Sequence, residues 1–154
     1  MEAAKFLRQI PLFRDVRDAD LARLAAICEE EVHREGATIF REGEAGDALY
    51  AVREGIVRIS KLVPKGGEEA MAFLEEGGHF GEMALLDEVP RSATAIAHTD
   101  CRLLVIRKRA FLDLLQDEAL ASQLLLVFCR TLSYRLRETT DRIVTLFTFT
   151  RQNW

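Results

Sequence analysis

The segment FGEMALLDEVPRSAT, residues 80–94, sets a carboxylate (Glu82) and an arginine (Arg91) on either side of a short apolar run, with hydroxyls at Ser92 and Thr94. Gly77, Gly78 and Gly81 lead into it, and glycine lets the backbone bend sharply and approach a ligand with no Cβ in the way. The run EMALL favours helix but is only about one turn long before Asp87 and Pro90 end it. The N–H groups that open such a turn lack intrahelical acceptors and attract an anion, phosphate above all. Arg91 adds a permanent cation whose planar fork grips two phosphate oxygens. Glu82 needs a different partner. An ionised carboxylate only accepts hydrogen bonds, so a sugar hydroxyl suits it. A phosphate and a ribose held side by side describe a nucleotide.

The elements around this segment fall into three stretches. Residues 3–9 read as a short helix, and Asp18 to Cys28 as a second. Asp18 is a candidate N-cap of the second, and Leu21, Leu24, Ala25 and Ile27 form its apolar face. From Glu31 to Ile106 short apolar–polar segments (ATIF, LYAV, IVRISKLV, EAMAFL, TAIA, RLLVI) recur between glycine-rich turns, including a PKGGEE hairpin. Many short strands at even spacing argue for a sandwich or jelly-roll barrel. After Arg107 the helical period returns in KRAFLDLL, then in a long segment from about Asp117 to Phe147. Along it Leu125, Cys129, Leu132, Leu136, Thr139, Ile143 and Leu146 alternate in steps of four and three. Such a heptad seam fits pairing with a twin helix, and equally one amphipathic helix lying on its own barrel.

At 154 residues the chain is read as one domain: N-terminal helices over 1–30, the barrel over 31–106 and C-terminal helices over 107–150. No apolar run approaches the roughly 20 residues needed to cross a bilayer, and MEAAKFLRQIPLF is too weakly hydrophobic for a signal peptide. Cys28, Cys101 and Cys129 are odd in number and lack CxxC spacing. They read as buried reduced thiols and point to a cytoplasmic address. With 25 acids against 21 bases the net charge is −4, and no basic cluster marks a nucleic-acid surface. The RKR run at 107–109 reads as the solvated entry to a helix.

The pattern F-G-E-x-A-L-L followed by P-R-S-A-T resembles the phosphate-binding cassette of cyclic nucleotide-binding domains. The likeness extends over most of residues 10–145: REGEAGDALYAVREGIVRIS resembles the family's early barrel strands, and DCRLLVIRKRAFLDLL its last strand and the helix after it. The resemblance implies an α+β fold, a β jelly-roll barrel (double-stranded β-helix) with N-terminal helices and a long C-terminal helix. It implies that Glu82 takes the ribose 2′-hydroxyl. Gly81, Glu82, Met83 and Ala84 on one arm, and Arg91, Ser92 and Ala93 on the other, would hold the cyclic phosphate. By similarity Ile59 and Met71 are candidate walls for the base, although ordinary core packing explains either equally well.

Arg135-Leu136-Arg137-Glu138-Thr139-Thr140 further resembles the Arg-Leu-x-x-Thr-Ser of bacterial catabolite-activator-type proteins. There the paired hydroxyls contact the adenine amine, one of them from the partner subunit, and the arginine lies near the ribose glutamate. Arg135 and Thr139 are one helical turn apart and share a face. Phe147, Phe149 and Trp154 are candidates to cap the base or extend a dimer contact, against the plainer expectation of a frayed tail.

The expected function is therefore a non-enzymatic regulatory module. It would bind a cyclic nucleotide, cAMP before cGMP, use no further cofactor and signal through its C-terminal helix. It would form a homodimer along that helix and act on a downstream protein the sequence does not identify, with no direct nucleic-acid or membrane contact. The alternative is the sensor half of a Crp/Fnr-type transcription regulator whose DNA-binding domain is absent from this chain. A metal-dependent jelly-roll enzyme is disfavoured, because His33, His79 and His98 are single and widely separated.

Overall fold

The computed structural model describes residues 2–152; Trp154 lies outside the described residues. Two helices, α1 (Glu2–Gln9) and α2 (Asp18–Ala26), flank a 3-10 turn at Pro11–Phe13. Eight strands follow: β1 (Cys28–His33), β2 (Thr38–Phe40), β3 (Ala48–Glu54), β4 (Val57–Val63), β5 (Gly67–Leu74), β6 (His79–Phe80), β7 (Thr94–Ala97) and β8 (Cys101–Arg107). A one-turn 3-10 helix, Glu82–Leu85, sits between β6 and β7. The chain ends in α3 (Lys108–Leu114) and the long α4 (Glu118–Gln152).

The strands form two four-stranded antiparallel sheets, β1-β8-β3-β6 and β2-β7-β4-β5, the jelly-roll arrangement expected. Side chains alternate across a strand, so β3 and β8 serve two cores at once. Tyr50, Val52, Leu103 and Val105 fill the barrel with Phe80, Ala95 and Ala97. Leu49, Ala51, Leu104 and Ile106 point the other way, onto Phe6, Leu7, Phe13, Phe111, Leu124 and Phe128. The helices therefore cover the outer face of one sheet, and the first half of α4 is part of that cover.

Three expectations need correction. The second helix stops at Ala26, short of the expected Cys28, and the barrel starts at Cys28 rather than at residue 31: Cys28–His33 is an edge strand paired with β8, its Glu29 and Glu31 meeting Arg107. Asp18 does not cap α2; it is the first helical residue and pairs with Arg8. Cys129 is exposed on α4, whereas Cys101 is buried and burial pushes the Cys28 thiol up to about 12. The RKR run is also less solvated than its charges suggest: Lys108 Nζ donates to Asp87 O at 2.7 Å and pairs with Glu88.

The outer half of α4 stands clear of the barrel. Leu120, Leu124, Val127 and Phe128 bury the core-facing stripe, and from residue 136 to residue 151 every side chain is exposed. The heptad seam runs on a different face from that stripe. Leu125, Leu136, Ile143 and Leu146 are all exposed, so the seam is not what packs α4 on its own barrel. No helix among the described residues is long and apolar enough to cross a membrane.

Candidate functional site

A cavity of about 290 Å³ opens at the end of the barrel between the 3-10 turn, the 89–93 arm and α4. It exists because the backbone is held away from it on both sides. Gly77 N–H donates to Val52 O and Val52 N–H to Gly78 O, which carries the chain across β3 into β6. Gly81 then takes φ +76 and starts the 3-10 turn. A Cβ there would lie 2.6 Å from Arg91 Nη1, so glycine is required for space as well as for backbone angle. On the other arm Arg91 N–H donates to Glu44 O at 2.7 Å, and Gly43 N–H to Arg91 O at 2.8 Å. Lys61 Nζ reaches Ser92 O at 2.6 Å.

The two charged residues at the heart of the cassette are both sunk into the protein, Glu82 at 3% exposure and Arg91 at 7%. Arg91 donates from Nη2 to Ala48 O at 2.9 Å and from Nη1 to Gly81 O at 3.2 Å. Its guanidinium carbon lies 4.1 Å from the centre of the Phe40 ring and 5.7 Å from that of Tyr50, within cation–π range of both. Burial pulls its pKa below the ordinary arginine value, and the cation survives because carbonyls and rings surround it. Its Nε is buried with no hydrogen-bond partner. An unmet buried donor on a permanent cation is suited to an anion entering the cavity.

Glu82 is answered from elsewhere. Arg135, on α4, forms an ion pair with its carboxylate and donates from Nη2 to His79 Nε2 at 2.9 Å. Burial pulls the Arg135 pKa down, with Glu138 opposing. The helix thus reaches the cavity through one side chain.

Most of the expected site residues converge on this cavity. Gly81, Glu82, Met83, Ala84, Arg91, Ser92, Ala93, Ile59 and Arg135 all line it. Three do not. Met71 is 63% exposed on the edge strand β5, which is exposed from Gly67 to Phe73, and it falls at the register shift between the Ile59–Ala72 and Ser60–Ala70 pairs. Thr139 and Thr140 are exposed beyond the last point of contact between α4 and the barrel, and the Thr140 hydroxyl donates back to Leu136 O. Phe147 and Phe149 are exposed on the same outer stretch.

Sequence reading missed several residues that build the site. Phe40 and Ala48 seat Arg91 from β2 and β3. Gly46 is the second obligatory glycine, since a Cβ there would lie 2.6 Å from Ala84 Cβ and 3.1 Å from Arg91 Nε. Leu74, Phe80 and Val89 supply apolar lining. His79 was also missed: Phe80 points into the barrel, and alternation turns its neighbour out towards the helices.

With this geometry in hand, the comparisons with known proteins are consistent. Residues 30–118, more than half of the chain, match the family model described as the cyclic nucleotide-binding domain. The chain is 36% identical over 110 residues to a cAMP-dependent protein kinase regulatory subunit of Yarrowia lipolytica, covering 71% of this chain and 28% of that protein. It is 35% identical over 128 residues to the cyclic AMP receptor protein of Thermus thermophilus, covering 83% and 58% respectively. The crystal structure of the N-terminal domain of a transcriptional regulator from Streptomyces coelicolor A3(2) superposes with a TM-score of 0.77 at 35% identity, over 90% of this chain and 94% of that one. The chain therefore spans less than two thirds of the length of either curated relative.

Proposed function

This chain belongs to the cyclic nucleotide-binding domain family, and we propose that it is a non-enzymatic regulatory module that senses cAMP. The observation that carries this reading is the pairing of a buried cation and a buried carboxylate across one cavity. Arg91, with its free Nε–H, is the anchor for the cyclic phosphate, assisted by the Ser92 hydroxyl and the backbone of Gly81–Ala84. Glu82 accepts from the ribose hydroxyl. Ile59, Leu74 and Val89 offer the base an apolar wall. We assign no further cofactor and no catalytic group.

The signal leaves through α4. Arg135 ties the helix to the carboxylate that the ribose would use, so nucleotide and helix meet at one group. Thr139 belongs to the exposed seam and Thr140 lies beside it, and in this reading they reach the base once α4 is paired with a second copy of the chain. Each added hydrogen bond contributes about 0.5–1.5 kcal/mol. Two bonds made in only one helix position would shift the helix equilibrium roughly 5- to 150-fold.

A second reading, the sensor half of a Crp/Fnr-type regulator, draws on the likeness to the Streptomyces regulator domain and to the Thermus receptor. Both readings use the same site. They differ in what the outer end of α4 drives, a separate protein or a DNA-binding unit joined to it, which gel-shift of DNA by the natural gene product distinguishes.

Thermal unfolding with cAMP, cGMP and AMP tests the ligand. At 100-fold above Kd a native-state ligand adds about 2.7 kcal/mol, which is roughly 5–10 °C for a chain of this size. The expected order is cAMP, then cGMP, with no shift from AMP; an equal shift from AMP overturns the reading. Thr139→Ala with Thr140→Ala should weaken cAMP more than cGMP, and equal loss removes the adenine assignment.

A further inference from the structure

Arg135 is the last residue of α4 whose side chain is held by the barrel, and residues 136–151 are exposed throughout. The point at which α4 leaves the barrel is therefore held by one guanidinium and its two partners, Glu82 and His79. The histidine contact sets a condition. An imidazole nitrogen accepts a guanidinium N–H only while its lone pair is free, so His79 must be neutral, with its proton on Nδ1.

The surroundings of His79 favour that form. Across the sheet its paired residue is Ala51. The next ionisable groups of β3 are engaged elsewhere: Arg53 with Glu2 and Glu30, Tyr50 stacked on Phe80 inside the barrel. From α4 it faces the Arg135 cation, with Glu138 about one turn further along that helix. From the 3-10 turn, Glu82 is already taken by Arg135. Among the described residues no free carboxylate is recorded against the imidazole, and burial, with Arg135 adding to it, pulls the His79 pKa down to about 4.

The geometry points to His79 as a positioning residue for α4: as a neutral base it seats Arg135 on Glu82, and as a cation it drives Arg135 off, so helix docking is coupled to a proton. This rests on the cyclic nucleotide reading only in taking the helix position as the output. The direction follows from linkage. The docked helix holds the His79 pKa near 4, and release exposes the ring and returns it towards its ordinary 6.5. The undocked form binds more protons between these values, so docking is at full strength above 6.5 and weakens as pH falls towards 4. At pH 5.5 the docking equilibrium is about tenfold less favourable than at pH 7.5.

NMR of the full chain tests this without any ligand. The His79 ring should show the Nδ1–H tautomer and titrate well below 6.5, moving up towards 6.5 in Arg135→Ala. Backbone amides of Leu136 and Arg137 should titrate with the same midpoint. His79→Gln keeps an acceptor that cannot be protonated, so it should hold the helix at every pH and abolish the amide titration. His79→Phe should leave the helix loose at every pH. A His79 midpoint of 6.5 in the native chain, or an amide titration that persists in His79→Gln, overturns the inference. Thermal shift with cAMP at pH 7.5 separates the two claims. No shift alongside an intact α4 titration sinks the ligand reading alone; a normal shift with no His79-dependent titration sinks the proton coupling alone.

Discussion

Arg91 and Glu82 face one cavity and are almost equally buried, yet they are held by different kinds of group. The partners of Arg91 are carbonyls of Ala48 and Gly81 and the rings of Phe40 and Tyr50; Ala48, Phe40 and Tyr50 are strand residues that cannot leave without unfolding a strand, and Gly81 directly follows β6. The partner of Glu82 is a single side chain on α4, a helix whose outer stretch has no other hold on the barrel. One end of the site is built in and the other is answered from outside. On the proposed reading the first end supplies affinity and the second carries information, because a ligand shifts a helix only through contacts that differ between helix positions.

The largest expected effect comes from breaking the built-in end. Arg91→Ala removes a charge-assisted phosphate contact of about 1.5–3 kcal/mol and takes a donor from the Ala48 carbonyl, at about 1–3 kcal/mol more in stability, while the Gly81 carbonyl keeps the Ala84 N–H. We expect cAMP affinity to fall by roughly 10- to 150-fold in calorimetric titration, with the urea midpoint lowered and the far-ultraviolet circular dichroism of the barrel retained. An affinity within about threefold of the native chain would show that the cation is only a structural strut.

The same contrast explains what the sequence disclosed. The cassette was legible because its chemistry is local: Gly81, Glu82, Arg91 and Ser92 lie within one short segment, and glycine, carboxylate and guanidinium each have few alternative uses there. The strands were legible from turn glycines and alternation, except β1, whose three successive glutamates hide the period behind charge, and β6, whose two residues are too few to show one. The seat of Arg91 was not legible. Phe40, Gly46 and Ala48 are separated from Arg91 by 43 to 51 residues of chain, and only the sheet order brings them together. The same holds for Glu82 and Arg135. Resemblance named the helix residues, but the face α4 turns to the barrel is set by Leu120, Leu124 and Phe128, one stripe away from the heptad seam.

Arg135→Ala probes the exchangeable end, and a smaller change in affinity is expected. Glu82 keeps its place in the 3-10 turn and can still accept from a ribose, so cAMP affinity should stay within about fivefold of native, roughly the worth of one hydrogen bond. Hydrogen exchange of the amides at 131–137 should accelerate, since the hold beyond the buried Leu124, Val127 and Phe128 is gone. A loss as deep as that of Arg91→Ala would mean that both ends are anchors and would erase the division between affinity and signal.

Leu136→Asp sits beside Arg135 on the same turn but on another face, and it should disturb the cavity least. Leu136 is 69% exposed and belongs to the outer seam with Ile143 and Leu146. A carboxylate there faces its own copy if two seams meet, and like charges brought together in an apolar contact are strongly unfavourable. Sedimentation should show the native chain at twice its 17.5 kDa mass and Leu136→Asp at once that mass. The variant should lose no more cAMP affinity than the Thr139→Ala, Thr140→Ala pair, because the barrel contacts are untouched and only hydroxyls carried by the second copy go missing. An unchanged mass would remove the second copy from the site and leave Arg135 as the sole route from nucleotide to helix.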